Sequence, residues 1–221
     1  MTDGKQTIAI LGGTGDLGTG LAQRWIKAGY KVIIGSRKAD KAVEAANELA
    51  SRYAIDKPDA LANEDAAAAA DLVVLTVPFE HQKSTLEAVK KHLQGKILID
   101  VTVPLMPPKV GTVQLPAEGS AAEIAQATVG DDVQVVSAFQ NVAAHHLQGE
   151  NDIDCDILVA GNKIAAREEV IALAEAAGMR AFHAGPLANS AAAEALTSIL
   201  IQINRRHKCH AGIRISGLDA H

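Results

Sequence analysis

The sequence predicts an α/β fold, a doubly wound parallel sheet with helices on both faces, and three observations predict it. Short apolar runs alternate with longer amphipathic stretches along most of the 221 residues. Each run is apolar throughout rather than at every second position, as expected of a strand covered on both faces. The chain is 48% hydrophobic but only 3% aromatic, so Ala and Val must fill the interior, which suits helices packed closely on a parallel sheet. The length fits one large domain, or one domain with a small appendage.

The first apolar run, Ile8 to Leu11, stops at a glycine cluster, and a helical pattern follows with Leu17, Leu21 and Trp25 on one face. Gly13, Gly15 and Gly18 supply G-x-G-x-x-G between a strand and a helix, the context in which that spacing signals a dinucleotide site of Rossmann type. Glycine is asked for three times: in a tight turn, where the backbone approaches a pyrophosphate, and where helix meets strand. The phosphates would lie on the free N–H groups and positive dipole end of the new helix.

Gly29 closes that helix, and residues 30–35 read as the second strand. Ala39 to Tyr53 is helical. Ala60-Leu61 reads as a very short third strand, and Asn63-Glu64-Asp65 as a capped helix start leading into an alanine run. Residues 71–78 and 96–101 are strands on either side of a helix from Glu80 to His92. Four prolines between Thr102 and Gly119 exclude regular structure and place a loop over the sheet's carboxyl edge. A helix near 120–127 and a strand at 133–138 follow. The tail repeats the scheme once: strand 156–160, helix 165–177, strand 180–183, then a last helix after Gly185-Pro186-Leu187. With no repeat and no separate second core, a soft boundary falls near Phe139. It divides a nucleotide-binding domain, 1–138, from a smaller C-terminal region, 139–221.

Composition excludes several function classes. The net charge is −5 and no long basic run occurs, so neither nucleic acid nor an anionic membrane surface is the expected partner. The start, Met1 to Gln6, is polar, and Ile8–Leu11 is too short for a signal-peptide core. No stretch approaches the ~20 apolar residues that span a bilayer. A cytoplasmic protein is expected, with Cys155 and Cys209 as ordinary thiols. The histidines are scattered and no nucleophile motif occurs, so no metal ligand, catalytic acid or catalytic base is assigned.

The nucleotide type is read at the end of the second strand. An NAD site carries an acid there for the ribose hydroxyls, whereas this chain has Gly35-Ser36-Arg37 followed by Lys38 and Lys41. A hydroxyl and a guanidinium offer charge-assisted hydrogen bonds to a 2′-phosphate. Solvated charges at a helix start are the alternative, but cations there oppose the helix dipole unless an anion is near. The balance favours NADP. Asp16, inside the glycine loop, reads as a cap for the new helix. Thr76, Val77 and Pro78 end the fourth strand, where ligands cross such sheets. His81, four residues after Val77, is either a cofactor contact or a surface histidine.

The glycine loop with Leu17-Gly18-Thr19-Gly20-Leu21-Ala22, the segment Val32-Ile33-Ile34-Gly35-Ser36-Arg37 and the segment Leu75 to His81 together resemble one family, the NADPH-dependent coenzyme F420 reductases. The resemblance runs nearly the full length, through Gly119–Glu123, Val135–Phe139 and, most specifically, Ala184-Gly185-Pro186-Leu187-Ala188-Asn189-Ser190. It implies hydride transfer between NADP(H) and the deazaflavin coenzyme F420, which would lie in a cleft against the C-terminal region. It assigns Thr14, Gly15, Asp16 and Leu17 to the pyrophosphate, Ser36, Arg37 and Lys41 to the 2′-phosphate, and Val77, Pro78 and Ala144 to the nicotinamide. The stretch from Phe139 through Gln140, Asn141 and Val142 to Ala144 matches a segment lining the deazaflavin. Two departures occur there, Gln140 for a histidine and Ala143 for a proline, so an NADPH-dependent flavin reductase is the alternative enzyme. A third reading, a sensing module without turnover, would not need the matching tail. Two bound cofactors carry such chemistry themselves, and the protein positions them. His145 and His146 are either proton shuttles or solvated loop residues. The basic cluster Arg205-Arg206-His207-Lys208 is either a contact for the coenzyme's anionic tail or an ordinary helix end. The Ala- and Ile-rich last helix suits a homodimer.

Overall fold

The computed structural model describes residues 5–149 and 153–217; the polar start at Met1–Gly4 lies outside the described residues. Eight strands form one sheet in the order β3-β2-β1-β4-β5-β6-β7-β8. They are β1 (Thr7–Leu11), β2 (Lys31–Ser36), β3 (Asp59–Ala62), β4 (Leu72–Leu75), β5 (Ile97–Asp100), β6 (Gln134–Ser137), β7 (Ile157–Gly161) and β8 (Ala181–Gly185). The helices are α1 (Asp16–Lys27), α2 (Ala39–Tyr53), α3 (Asn63–Ala69), α4 (Phe79–Leu93), α5 (Ala121–Val129), α6 (Ala144–Leu147), α7 (Ile164–Ala176) and α8 (Ser190–His207). Strands β1 to β6 are parallel, as the continuous apolar runs predict.

The apolar strand residues feed two buried layers, one on each face. Ile8, Ile10, Ile34, Val74 and Val136 meet Leu21 and Trp25 on one side, while Ala9, Leu11, Val73, Leu75 and Val135 meet Leu86, Val89 and Ala125 on the other. The first layer runs without a break into Ile157, Val159, Val170 and Leu173, so residues beyond 138 extend the same sheet and share its core.

The tail departs from the predicted scheme at its first step. Strand β7 is antiparallel to β6, and only Val136↔Gly161 and Ser137↔Ala160 are in register. The reason is the connection: among its described residues the single turn α6 is the only helix, and four residues of helix span about 6 Å, too little to carry the chain back across the sheet. The chain therefore turns at the carboxyl edge and descends. Because β7 pairs through its last residues, its beginning stands beyond the end of β6 and walls one side of the space above the sheet. Strand β8 then runs parallel to β7. Residues 102–119 are an irregular loop, as the prolines predict.

Two predicted caps are corrected. Asn63 does not cap α3, whose N-cap is Ala62; it is buried, and its Oδ1 accepts from the Gly12 amide at 3.4 Å. Asp16 does not cap α1 either. The N-cap is Gly15, with no side-chain hydrogen bond, and Asp16 Oδ1 accepts from Gln148 Nε2 at 3.3 Å.

Candidate functional site

The glycine loop divides its tasks differently from the motif's usual assignment. The left-handed turn falls on Gly12, at φ +69°, and not on Gly13. A Cβ on Gly13 would lie 2.7 Å from the Ile10 carbonyl oxygen, and one on Gly18 would lie 2.8 Å from Gly13 Cα. Both glycines therefore let α1 sit down on β1. Gly15 differs: it is exposed, at φ −85°, and nothing in the protein lies within 4 Å of a Cβ built there. Packing does not account for the glycine at that position, and the open approach above a helix N-terminus fits a pyrophosphate. Thr14 and Asp16 are exposed beside it, and Leu17 is half-buried against the core.

At the end of β2, Arg37 lines a cavity of about 520 Å³ with Ala62, Asn63, Ser84 and Thr85. Glu64 and Asp65 line it too, and Glu64 pairs with Lys91 at 3.6 Å. Ser36 Oγ accepts from the Lys38 amide at 3.5 Å. Lys41 is not brought to this cavity: its ammonium pairs with Glu44 one turn on, at 2.7 Å, and that hydrogen bond raises its pKa.

At the end of β4, the Thr76 hydroxyl donates to the Leu11 carbonyl at 3.0 Å and so ties β4 to β1. Val77 is half-buried and Pro78 exposed at the carboxyl edge, where Pro78 forms the N-cap of α4. His81 lies in the first turn of α4, 3.9 Å from Glu80.

The stretch after β6 is held firmly. Phe139 takes a left-handed conformation (φ +71°), unusual outside glycine, and its ring meets Trp25 edge-on at 6.1 Å. Gln140 is buried, and its Nε2 donates to the Asp100 carbonyl at 2.9 Å and to Ser137 Oγ at 2.8 Å. Those bonds use both amide hydrogens, so Gln140 has none left for a ring carbonyl; its buried Oε1 is without a partner among the described residues. Asn141 Nδ2 donates to the Asp156 carbonyl at 2.7 Å and to Cys155 Sγ, and Val142 is buried. Contacts from these three residues to a ligand must therefore come mainly from backbone. Ala144, the first residue of α6, is half-buried. His146 Nε2 lies 2.7 Å from the His210 carbonyl, and His145 stacks on the His210 ring at 4.5 Å. Among the described residues no group of His, Cys, Asp or Glu is placed to hold a metal ion.

Other groups that shape the site are hard to read from sequence. Gln23 and Arg24 of α1 donate to the carbonyls of His146, Leu147 and Gly149, locking the helix of the glycine loop to α6. Two acids are buried. Asp100, at the end of β5, accepts from Gln82 Nε2 at 2.6 Å and from the Thr102 amide at 3.0 Å, and burial pushes its pKa up to about 6. Glu194 accepts from the amides of Ala121 and Ala122 at 2.7 and 3.2 Å, and burial pushes its pKa up to about 8. A lone acid ending an apolar run and another in an Ala/Ser-rich helix are the only signals the sequence carries for them.

The sign of the resulting pH dependence follows from linkage. Both acids hold their protons more tightly folded than unfolded, so unfolding releases protons between about pH 4 and pH 8 and stability falls as pH rises through that window. Glu194→Gln keeps one of the two accepted hydrogen bonds and cannot ionise. The variant should be less stable at pH 5 but show a clearly flatter fall of Tm towards pH 8. A pH–Tm profile as steep as wild type would remove Glu194 as the source.

A sheet of this order, a glycine loop open at Gly15 and a cavity at the end of β2 that Arg37 lines define a Rossmann-type dinucleotide-binding protein. Known proteins agree and are more specific. A family described as "NADP oxidoreductase coenzyme F420-dependent" matches residues 7–104. The F420-dependent NADP reductase of Methanocaldococcus jannaschii is 44% identical over 96% of this chain and 99% of its own length. That of Methanothermobacter thermautotrophicus is 43% identical over 96% and 95%. Among solved structures, a hypothetical protein from Sinorhizobium meliloti shares the fold, with TM-score 0.69 and 23% identity over 85% of this chain and 88% of that one. The chain belongs to the F420-dependent NADP reductase family.

Proposed function

We propose that NADP(H) and coenzyme F420 meet at the carboxyl edge of β1, β4 and β6, between the nucleotide-binding domain (1–138) and the C-terminal region (139–221). The chain is an oxidoreductase that transfers hydride between these two molecules, the activity for which its relatives are named. The observation that carries the reading is identity of 44% along 96% of the chain, including the C-terminal region that nucleotide binding alone does not need. When bound, the nicotinamide and deazaflavin supply the hydride donor and acceptor carbons, and the protein's task is to hold them close with water excluded.

Named residues divide that task. Thr14, Asp16, Leu17 and Gly18 offer the pyrophosphate backbone N–H groups at the start of α1 across the open Gly15, while Gly13, whose amide donates to the Ile10 and Gly35 carbonyls, holds the turn beneath them. Ser36 and Arg37 face the 2′-phosphate, and Lys41 joins them by exchanging Glu44 for it. Thr76 fixes the end of β4, so Val77 and Pro78 keep their place beside the nicotinamide, with His81 at the rim. Backbone of Gln140, Asn141 and Val142, with the small side chain of Ala144, forms the floor under the deazaflavin.

Mixing the protein with NADPH and oxidised F420 should bleach the deazaflavin absorbance at a rate proportional to enzyme. Gln140 in place of a histidine makes FMN and riboflavin the necessary controls. Turnover with either flavin but none with F420 would overturn the reading.

Arg37 gives a further test. Its loss should remove charge-assisted contacts to the 2′-phosphate worth about 1.5–3 kcal/mol, roughly ten- to a hundredfold in affinity. Arg37→Ala should therefore weaken NADPH binding strongly and NADH binding little by calorimetry. Equal losses for both would remove the 2′-phosphate role.

The reading extends to a homodimer and to the cytoplasm. Ile199 and Ile203 of α8 are 50% and 38% exposed, and Val113 and Leu115, in the loop that α8 holds at Gly111 and Thr112, are 42% and 43% exposed. This apolar face is supported as an interface between two copies by the hydrogen bonds from Ser198 and Gln202 that pin the loop to the helix. The unbridged Cys155 and Cys209 suit a reducing compartment.

A further inference from the structure

Helix α8 is built inside out. Ser190, Glu194, Thr197 and Ser198 recur at spacings of four, three and one, the stripe that normally carries apolar residues toward a core. Here the polar stripe faces inward, with Ser190, Glu194 and Ser198 at most 4% exposed, while Ile199 and Ile203 face out. Burying polar side chains is unfavourable unless each finds a partner, and each of these does. Ser190 Oγ donates to Ser120 Oγ at 2.8 Å, and Ser120 in turn accepts from the Glu123 amide. Glu194 accepts from Ala121 and Ala122. Three amides at the start of α5, left open by helix geometry, are thus closed by Ser120 and by a side chain of another helix. One turn further, Thr197 Oγ1 donates to the Gln140 carbonyl at 2.8 Å.

That last bond reaches the stretch after β6, which is also tied to the sheet and to the segment before β7. Gln140 is held from β5 and β6, and Asn141 from the residue that precedes β7. The backbone enters this stretch through the left-handed Phe139, a conformation that persists only where its surroundings enforce it.

We propose that Thr197 is a positioning residue for the deazaflavin: anchored on α5 through Ser190 and Glu194, helix α8 holds the Gln140 carbonyl and so sets the floor on which the ring lies. This rests on the reading that residues 139–144 line the F420 side of the cleft. Thr197 touches neither cofactor in this role and acts through Gln140. Its hydroxyl is a contact from α8 to that backbone, so the effect should fall on the deazaflavin side and leave the nucleotide side alone.

The test is Thr197→Val, which keeps the branched shape but cannot donate, with Thr197→Ser as the rescue. Binding of F420, followed by quenching of its own fluorescence, should weaken about three- to tenfold in Thr197→Val, the effect of one lost hydrogen bond. KM for F420 should rise in parallel. NADPH affinity should stay within about twofold and Tm within a few degrees, as for a conservative change at a half-buried site. Thr197→Ser should restore F420 affinity. Unchanged F420 affinity in Thr197→Val, or equal losses for F420 and NADPH, would overturn the role while the functional reading stands. Wild-type protein that binds NADPH but no F420 would overturn the functional reading, and the role with it.

Discussion

Gly15→Val should abolish NADPH binding and leave the fold intact. The expectation comes from an asymmetry among the glycines of the loop. Valine at Gly13 or Gly18 would drive a Cβ into backbone at 2.7 or 2.8 Å, so those variants would damage the contact of α1 with β1 before any ligand arrived. At Gly15 the protein offers no obstacle within 4 Å, and φ −85° with ψ 168° is extended backbone that valine favours. A branched side chain there occupies the space from which a pyrophosphate would reach the N–H groups of the first turn. Loss of that approach should raise Kd for NADPH more than about a hundredfold, some 3 kcal/mol, with Tm within a few degrees of wild type. Normal binding by a folded Gly15→Val protein would reduce the loop to a structural turn.

Gly15 also separates what the sequence makes legible from what it does not. Strand–glycine–helix is a local pattern, and local patterns are readable: α2 runs over the predicted Ala39–Tyr53, because one amphipathic stretch lies between two unambiguous breaks. Even the four-residue β3 is visible, since Pro58 and Asn63 bracket it. What is not legible depends on residues far apart in the chain. The antiparallel entry of β7 goes with a connection whose described residues hold one helical turn, whereas the strand's own apolar run looks the same in either direction. Asn63 looks like a cap, yet a glycine turn 51 residues away takes its oxygen instead.

The inward polar stripe of α8 is the sharpest case. Its isoleucines suggest where a second copy would sit, but nothing local says that Glu194 closes the start of α5. The same holds for Gln140. It departs from the histidine that the resemblance implies, and both of its amide hydrogens go to Asp100 and Ser137, so the side chain supports the loop.

Ala144→Phe should slow hydride transfer about a hundredfold while the protein remains folded and binds NADPH. The argument begins with what holds α6 in place. Leu147 is fully buried, and a Cβ on Gly20 of α1 would lie 2.6 Å from its Cβ, so the two helices are in direct contact. Gln23 Nε2 and Arg24 Nε donate to the Leu147 carbonyl at 2.6 and 3.0 Å, and Arg24 reaches on to Gly149 and Ala177. With its C-terminal end fastened this way, α6 cannot tilt aside to accommodate a larger residue at its first position. Ala144 is half-buried and the core side is filled by Phe139, Val142 and Leu147, so in the proposed arrangement a phenyl ring at Ala144 projects into the cleft. The two rings would then be held apart, and a misplacement of about 1 Å can cost about a hundredfold in rate. Single-turnover mixing of enzyme-bound NADPH with saturating F420 isolates that step from binding. The rate constant should fall with NADPH affinity little changed, and Ala144→Ser, which adds one oxygen, should stay near wild type. A wild-type rate in a folded Ala144→Phe protein would place the hydride path elsewhere.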